Sequence, residues 1–316
     1  MVILSLKPEE RIKLDIHDKK ILFYLNQDSR ISRKQLAKKL KISPQSLHYK
    51  IERLEKEAIN PIVLINYNLL NINQHIILVP RLSNEEKERL MENNSVIFLI
   101  QTLGKYQYII NILTNDINKF CEKYIPNYHI ESYKIEKQIP DIFNPYGIEN
   151  TTYNKIKEDN KIELDKKDYK ILLQLCKNPL DSLIKISEET GIDRQTIKER
   201  IIRMEKANII QKFRYAANIF KIGFLTYIIK LKIIPKNKNK ILNNIRNNKY
   251  SGIVLETTEG YIQFYMPPSH NELFEFTEIL QKIDNTIITE IYQASEYFKI
   301  DPNPKTALEI FEKNSN

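Results

Sequence analysis

The sequence predicts an α+β fold in which two winged helix-turn-helix domains alternate with two βαββαβ ferredoxin-like sandwich domains. Three observations lead to this prediction. The two halves of the chain repeat each other at a fixed offset. Each half begins with the capped helices of a helix-turn-helix and continues with strands and helices in the order βαββαβ. The 316 residues are enough for several such domains.

An internal repeat sets the organisation of the chain. The segment LDIHDKKILFYL at 14–25 aligns with LDKKDYKILLQL at 164–175, an offset of 150 residues (164 − 14). The same offset holds without a gap as far as Ile59 and Ile209. Chance similarity would scatter the offset, so the sequence indicates a duplication.

Each unit is predicted to open with a helix-turn-helix whose first two helices carry N-caps. The first helix begins after Asp15, or after Asp165 in the copy, and a second acidic residue three positions later also favours a helix N-terminus. The second helix begins after Ser32, which forms a predicted capping box with Gln35. The copy keeps only the single cap, Ser182.

A tight turn leads into the third helix. Lys41 in one unit and Gly191 in the other occupy the turn position that often needs a positive φ. The third helix is predicted over SPQSLHYKIERLEKE at 43–57 and over the copy DRQTIKERIIRMEKA at 193–207. Its apolar residues fall at helical spacing, so the polar residues between them form an outward face.

The rest of each half is rich in strands. Runs at 62–67 and 211–216 are expected to form a wing after each helix-turn-helix. The first sandwich domain is predicted from strand 75–80, helix 84–92, strands 96–102 and 106–113, helix 116–124 and strand 128–135. The second is predicted from strand 225–234, helix 237–247, strands 252–257 and 261–266, helix 270–282 and strand 287–292. One face of each sheet packs on its helices, and the apolar residues of the other face suggest pairing with a second sheet.

These elements give the predicted domain boundaries. They are a first winged helix-turn-helix at 10–68, a first ferredoxin-fold domain at 72–139, a linker at 140–163, a second winged helix-turn-helix at 164–220, a second ferredoxin-fold domain at 222–300 and a C-terminal tail at 301–316.

Composition narrows the class of protein. The net charge is +9 and the pI is about 9.1, which favours an anionic partner, nucleic acid first and acidic lipid second; a lysine-rich solvated surface is the alternative. Cys121 and Cys176 have no metal-ligand spacing and form no disulfide framework, so we expect a reducing compartment. No signal peptide or membrane-spanning run is recognisable, and the sequence therefore predicts a cytoplasmic protein without a metal or cofactor.

Several motifs together resemble the Lrp/AsnC family of transcription regulators. They are LDxxDxKIL, the helix SPQSLHYKIERLEKE and the segment TLGKYQYIINILTND at 102–116, which is similar to the Gly-x-Tyr-Asp strand pair of the family. The ending ASEYFKIDPNP resembles the tandem forms common among archaea. The resemblance occurs once in each half and so covers nearly the whole chain. It implies a DNA-binding regulator that oligomerises through its sandwich domains.

The resemblance also implies an effector site at the strand pair. Its candidate residues are Gly104, Tyr106 and Gln107, and family effectors are amino acids. Gln107 stands where the family has an aspartate, and the copy has Ile262 or Gln263 there. The loss of this carboxylate in both copies weakens the expectation of an amino-acid ligand. The alternative to an effector-binding role for Gly104 is that a tight hairpin turn requires glycine at this position.

The first helix-turn-helix is the predicted DNA-binding unit, with double-stranded DNA as partner. A third helix that enters the major groove presents its N-terminal residues to base edges, and nearby cations meet phosphates. The residues from Arg30 to Lys56 include nine basic and two acidic side chains. The candidate DNA-binding residues are Arg33, Lys34, Lys38, Lys39, Lys41, Ser43, Gln45, Ser46, His48, Tyr49, Lys50 and Arg53, of which Lys50 and Arg53 are expected at phosphates.

The second helix-turn-helix has lost this charge. Six basic and six acidic residues lie between Leu180 and Lys206, and a neutral surface gains little from phosphates. Its candidate contacts are Arg194, Gln195 and Lys198. We expect the second unit to bind DNA weakly or to serve as an interaction surface.

Alternatives to a DNA-binding regulator stay open. The winged helices could bind protein partners only, in which case DNA affinity would respond little to salt. An enzyme is the third reading, because sirohaem decarboxylases resemble this family and can be fused pairs. The segments 94–110 and 251–266 contain one lysine and no histidine or arginine, which argues against that substrate motif. The assembly is expected to be a homodimer or an internal pseudo-dimer, with higher association open.

Overall fold

The computed structural model describes residues 3–6, 11–126, 128–139, 143–148, 160–284 and 287–315. The first half contains β1 (Ile3–Leu6), α1 (Ile16–Gln27), α2 (Arg33–Leu40), α3 (Pro44–Glu57), β2 (Ile59–Ile65), a 3₁₀ helix (Tyr67–Leu70), β3 (Gln74–Val79), α4 (Asn84–Glu92), β4 (Val96–Leu103), β5 (Tyr108–Leu113), α5 (Ile117–Tyr124) and β6 (Glu131–Ile139). The predicted α+β class and the βαββαβ order are confirmed.

The second half repeats this order. It contains α6 (Lys166–Lys177), α7 (Leu183–Thr190), α8 (Arg194–Lys206), β7 (Ile210–Ala217), β8 (Tyr227–Leu231), a 3₁₀ turn (Pro235–Asn237), α9 (Lys238–Asn247), β9 (Ser251–Thr257), β10 (Gly260–Tyr265), α10 (His270–Gln281), β11 (Ile288–Ile300) and α11 (Lys305–Ser315). Three elements differ clearly from the prediction. β1 was not predicted and pairs with β11. β11 extends well beyond residue 292, and the stretch expected to be a tail contains α11, whose Phe311 is fully buried against α6.

Most of the predicted caps are present. The Asp15 and Asp165 side chains accept hydrogen bonds from the backbone N–H groups of Asp18 and Asp168, and each pair completes a capping box. Lys41 and Gly191 end their helices with φ of 56° and 68°, as expected. The capping box predicted at Ser32 is wrong, because its side chain makes no capping hydrogen bond. That helix end is exposed, so water can satisfy its N–H groups.

The two predicted wings form one shared structure. β2 and β7 pair with each other, antiparallel, with Val63 opposite Phe213 and Leu64 opposite Lys212. We call this two-stranded sheet the ribbon. The expectation of a separate wing in each unit is therefore wrong. A single strand leaves its backbone groups unpaired, and pairing across the duplication satisfies them.

The two sandwich domains merge into a closed barrel. Their strands follow the order β11-β4-β5-β3-β6-β9-β10-β8, and β8 pairs back with β11. Each half contributes four strands in the order expected of a ferredoxin-like sheet, and the halves join through β6–β9 and β4–β11. Between the sheets lies an apolar cluster to which both halves contribute, including Ile76, Leu78, Ile228 and Leu255. This internal pairing buries the second apolar face predicted from the sequence.

The ribbon connects the barrel to both helix-turn-helix units. The core of the first unit includes Tyr215 from β7, and the core of the second includes Val63 from β2. Each helix-turn-helix is thus completed by a strand from the other half of the chain. Their relative position follows from the pairing of the ribbon.

Candidate nucleic-acid interface

Helix α3 presents a polar face because its apolar residues are buried in the first helix-turn-helix. Leu47, Ile51 and Leu54 lie in the core, which leaves the intervening residues outside. The Ser43 side chain accepts a hydrogen bond from the backbone N–H of Ser46 at 3.0 Å, and Pro44 occupies the first turn. The residues predicted to read bases lie on this outward face: Gln45, His48 and Tyr49 are exposed and Ser46 is half-buried.

Two carboxylates of α1 hold α3 in place. Asp18 is 1% exposed and accepts hydrogen bonds from Arg53 at 2.7 Å and from Lys50 at 3.1 Å. Lys50 also bridges to Asp15. Burial raises the pKa of Asp15, but hydrogen bonds from Lys50 and from the Asp18 backbone outweigh it and lower the pKa to about 2. Lys50 and Arg53, predicted at phosphates, therefore hold α3 against α1.

The same arrangement recurs in the second unit. Arg200 contacts Asp165 at 2.7 Å and Asp168 at 2.9 Å, and Arg203 also bridges to the fully buried Asp168. Sequence reasoning missed these pairs. The signal was present: in each copy a basic residue stands 35 positions after the N-cap aspartate (50 − 15 and 200 − 165).

The remaining cations of the first unit divide into two groups. Lys34, Lys38 and Lys41 are exposed around the turn between α2 and α3. Arg33 and Lys39 are exposed as well but contact neighbouring rings: Arg33 donates to the Tyr215 hydroxyl at 3.0 Å, and the Lys39 ammonium lies 4.3 Å from the Tyr24 ring centroid. Lys34, Lys38 and Lys41 are thus exposed on α2 and in the turn that leads into α3.

The equivalent surface of the second unit has a different chemistry. Arg194, Gln195 and Lys198 are exposed on α8, but the Gln195 amide donates to Glu199 at 2.7 Å. On α7, Lys185 forms an ion pair with Glu189 at 2.7 Å.

Exposed apolar side chains add to this difference. Leu180 is 41% exposed and Ile184 is 54% exposed. They occupy the positions of Arg30 and Lys34 in the first unit. Duplication has therefore produced one basic surface and one apolar, neutral surface on the same scaffold.

Arg30 joins the two helix-turn-helix units. Its guanidinium lies 4.1 Å from the Phe213 ring centroid and donates to the backbone oxygens of Pro179 at 3.1 Å and Asp181 at 3.3 Å. The adjacent Ser29 N–H donates to Phe213 O. This cation thus contacts the second unit and is not part of the exposed basic surface.

The predicted effector residues lie at the β4–β5 hairpin. Gly104 has a φ of 142°, and a Cβ there would come 2.8 Å from the Tyr292 ring, so the hairpin requires glycine. Tyr106 is buried and its hydroxyl donates to Glu131 at 2.8 Å, while Gln107 is exposed. The structure therefore brings Tyr106, but not Gln107, into a polar cluster.

That cluster centres on Glu131 and Lys230, which sequence reasoning missed. Lys230 donates to Glu131 at 2.6 Å. Burial raises the pKa of Glu131, but hydrogen bonds from Lys230, Tyr133 and Tyr106 outweigh it and lower the pKa to about 2. Burial and the contact with Glu131 raise the pKa of Tyr133 to about 12.

The available signal for this cluster was a repeated Glu-x-Tyr. It occurs at Glu131–Tyr133 and again at Glu290–Tyr292, once in the last strand of each sheet. A cavity of about 260 Å³, lined by Tyr133, Lys230 and Glu290 among others, lies beside the cluster.

Comparisons with known proteins agree with this architecture. The family model described as winged helix-turn-helix DNA-binding matches residues 14–57 and 164–211. An uncharacterized HTH-type transcriptional regulator of Pyrococcus abyssi is 25% identical over 144 residues, 44% of this chain and 97% of the relative. A second such regulator, of Pyrococcus furiosus, is 29% identical over 143 residues with the same coverage. Less than half of the chain thus matches nearly all of each relative.

The family model matches a segment in each half of the chain, so the chain contains two winged helix-turn-helix units. The crystal structure of the siroheme decarboxylase NirDL shares the fold of this chain, with a TM-score of 0.57 and 11% identity, over 94% of this chain and 97% of the other. At that identity the likeness shows the fold alone. In the part of the chain that the structure describes, none of the helices could span a membrane.

Proposed function

We propose that this chain is a transcription regulator that binds double-stranded DNA and reads the major groove mainly with the first helix-turn-helix. The observation that carries the proposal is the outward face of α3, where Gln45 and His48 are exposed beside the exposed Lys34, Lys38 and Lys41. Glutamine can pair bidentately with adenine, and the surrounding cations would neutralise phosphates. The names of the Pyrococcus relatives support a regulatory role.

The second helix-turn-helix is proposed to contribute less to DNA binding. Its exposed Leu180 and Ile184 and its balanced charge favour a protein contact over a phosphate contact. Chains could also associate further through the exposed Phe274 of α10, which is 64% exposed. In such an oligomer, recognition helices placed about 34 Å apart would favour a pseudo-palindromic site. An effector at the hairpin of Gly104 and Tyr106 remains part of the proposal.

The experiment that tests this function measures binding of the purified protein to sheared DNA from its own source, followed by a salt titration on the enriched sites. Discrete sites and a steep loss of affinity with salt are expected. A flat salt response would favour a protein-interaction factor instead. Broad coverage without discrete sites would contradict sequence-specific reading.

A matched pair of variants tests whether α3 is the helix that contacts the bases. Gln45→Ala/His48→Ala should relax the sequence preference and lower specific affinity by about 10-fold or more, because a good base contact is worth about 1–3 kcal/mol. Gln195→Ala/Lys198→Ala at the equivalent surface is the control and should leave the sequence preference unchanged. Equal losses in both variants would contradict the dominant role of α3.

A further inference from the structure

A tyrosine from the second half of the chain lies inside the first helix-turn-helix. Tyr215 belongs to β7, is 2% exposed and packs in the core of the first unit. Its hydroxyl accepts a hydrogen bond from the Arg33 guanidinium at 3.0 Å and donates one to the Glu55 carboxylate at 2.5 Å. One hydroxyl thus connects the first residue of α2 with the last turn of α3.

The chemistry of the three groups sets the direction of these hydrogen bonds. A guanidinium only donates and an ionised carboxylate only accepts, so the hydroxyl between them must accept from Arg33 and donate to Glu55. Burial and the contact with Glu55 raise the pKa of Tyr215 to about 12, so the hydroxyl keeps its proton at neutral pH. A cation is therefore held by a buried neutral hydroxyl, which is in turn held by an anion.

The guanidinium that Tyr215 holds lies at the surface. Arg33 is exposed, and its bond to the hydroxyl involves a single nitrogen, Nη2. An arginine presents five N–H donors in a planar fork, so an exposed guanidinium held in this way can still meet an anion from solvent. The first helix of a helix-turn-helix lies across the DNA backbone, and the anion at this position would then be a phosphate.

The second unit has no such chain of polar groups. The residues 150 positions from Arg33 and Tyr215 are Leu183 and Ile65. Both are apolar and pack in the core of the second unit. The hydroxyl and the cation that it holds therefore occur together in the unit that has the basic surface, and neither occurs at the equivalent place in its copy.

We propose that Tyr215 is a positioning residue for DNA binding, and that it holds Arg33 where the guanidinium meets a backbone phosphate. This role rests on the proposed DNA binding of the first unit. An arginine that is already held loses less conformational freedom on binding than one that moves freely in solvent. The second half of the chain thus contributes, through the ribbon, to the DNA-binding surface of the first.

The test is a double-variant cycle on the full chain. Fluorescence anisotropy measures the affinity for a DNA duplex with one enriched site over a series of salt concentrations. Arg33→Ala should reduce the salt slope by about 1, because it removes one phosphate contact. Tyr215→Phe removes the hydroxyl and leaves the charge, so it should weaken binding by about 3- to 10-fold at an unchanged slope. In the Arg33→Ala background, Tyr215→Phe should have no further effect.

Two further variants complete the design. Tyr67→Phe is the matched control: its hydroxyl donates to the Pro302 backbone oxygen at 2.8 Å in the core of the second unit, so its loss should leave DNA affinity unchanged. Arg33→Lys keeps the charge without the planar fork and should weaken binding by about 3- to 10-fold at an unchanged slope. It replaces Tyr215→Phe in the test if circular dichroism shows that Tyr215→Phe is not folded.

The outcomes separate this role from the proposed function. Salt-dependent binding by the unmodified protein together with an unchanged slope in Arg33→Ala would overturn the role of Tyr215 and Arg33 alone. A loss in Tyr215→Phe that is equally large in the Arg33→Ala background would also overturn it, because the loss would then come from a loosened first unit. Full affinity in Arg33→Lys would show that the charge suffices without positioning. No DNA binding by the unmodified protein would overturn the proposed function as well.

Discussion

The two helix-turn-helix units share one internal design and differ on the outside. In both, a buried aspartate of the first helix binds two cations of the third, Lys50 and Arg53 in one and Arg200 and Arg203 in the other. The exposed surfaces have diverged, since Lys38 and Lys39 correspond to Glu188 and Glu189. The contacts that hold the third helix of each unit were therefore kept while the surface chemistry changed.

The largest expected effect comes from the shared design. Asp18→Ala and Asp168→Ala should each lower the free energy of unfolding by about 3 kcal/mol. Each substitution removes a buried carboxylate and leaves the two cations that it binds without that partner. Denaturant unfolding followed by circular dichroism measures this. DNA affinity, measured on variants that remain folded, should fall strongly for Asp18→Ala only. A loss of affinity of the same size in Asp168→Ala would break the comparison.

The next effect concerns the basic surface of the first unit. Lys34→Ala/Lys38→Ala should lower DNA affinity by about 10- to 100-fold at low salt and reduce the salt slope by about 2, since each phosphate contact contributes about 0.9 to that slope. Fluorescence anisotropy over a series of salt concentrations measures both quantities. Arg194→Ala/Lys198→Ala is the control and should change the slope little. An unchanged slope in the first variant would show that these lysines do not meet phosphates.

A gain of function sharpens the same comparison. Glu188→Lys/Glu189→Lys gives α7 the two lysines that α2 carries at the equivalent positions. It should raise DNA affinity by about 10-fold at low salt, because it replaces two anions with two cations near phosphates. The gain should disappear as salt is raised. The double variant Glu88→Lys/Glu92→Lys on α4, where both glutamates are exposed, is the control for net charge outside both helix-turn-helix units. The same gain in the control would mean that overall charge explains the result.

The smallest effect tests the helix caps. Ser182 caps α7 with a hydrogen bond from the Lys185 N–H at 3.2 Å, whereas Ser32 makes no such bond at α2. Ser182→Ala should therefore cost about 1 kcal/mol of stability, and Ser32→Ala less than half of that. Thermal unfolding of the two single variants measures the difference. A larger loss in Ser32→Ala would show that its side chain caps α2 in solution.

Much of the fold could be predicted because its signals are local. The N-cap aspartates, the turn at Lys41 and Gly191 and the apolar spacing of Leu47, Ile51 and Leu54 depend on neighbouring residues, and each is present. The outward position of Gln45 and His48 follows from the same spacing. The exposure of these residues was thus accessible from the sequence, although their contact with bases stays a prediction.

Other parts depended on residues far apart in the chain. The run at 62–67 was recognisable as strand-rich, but its partner lies some 150 residues away in β7. Arg30 was counted among the basic residues of the first unit, yet it packs on Phe213 between the units. Neither contact can be predicted from neighbouring residues. The sequence shows which strands and charged side chains need a partner, but it does not show which distant residue becomes that partner.

The sequence by itself determined the duplication, the element order and the loss of basic charge in the second helix-turn-helix, since all three are properties of residues compared along the chain. Three features emerge only in the folded chain: the wings join into one ribbon, the two sheets close into one barrel, and Lys50 and Arg53 bind Asp18. These outcomes arise because backbone groups, apolar faces and buried charges must each be satisfied, and the folded chain brings distant residues together to do so.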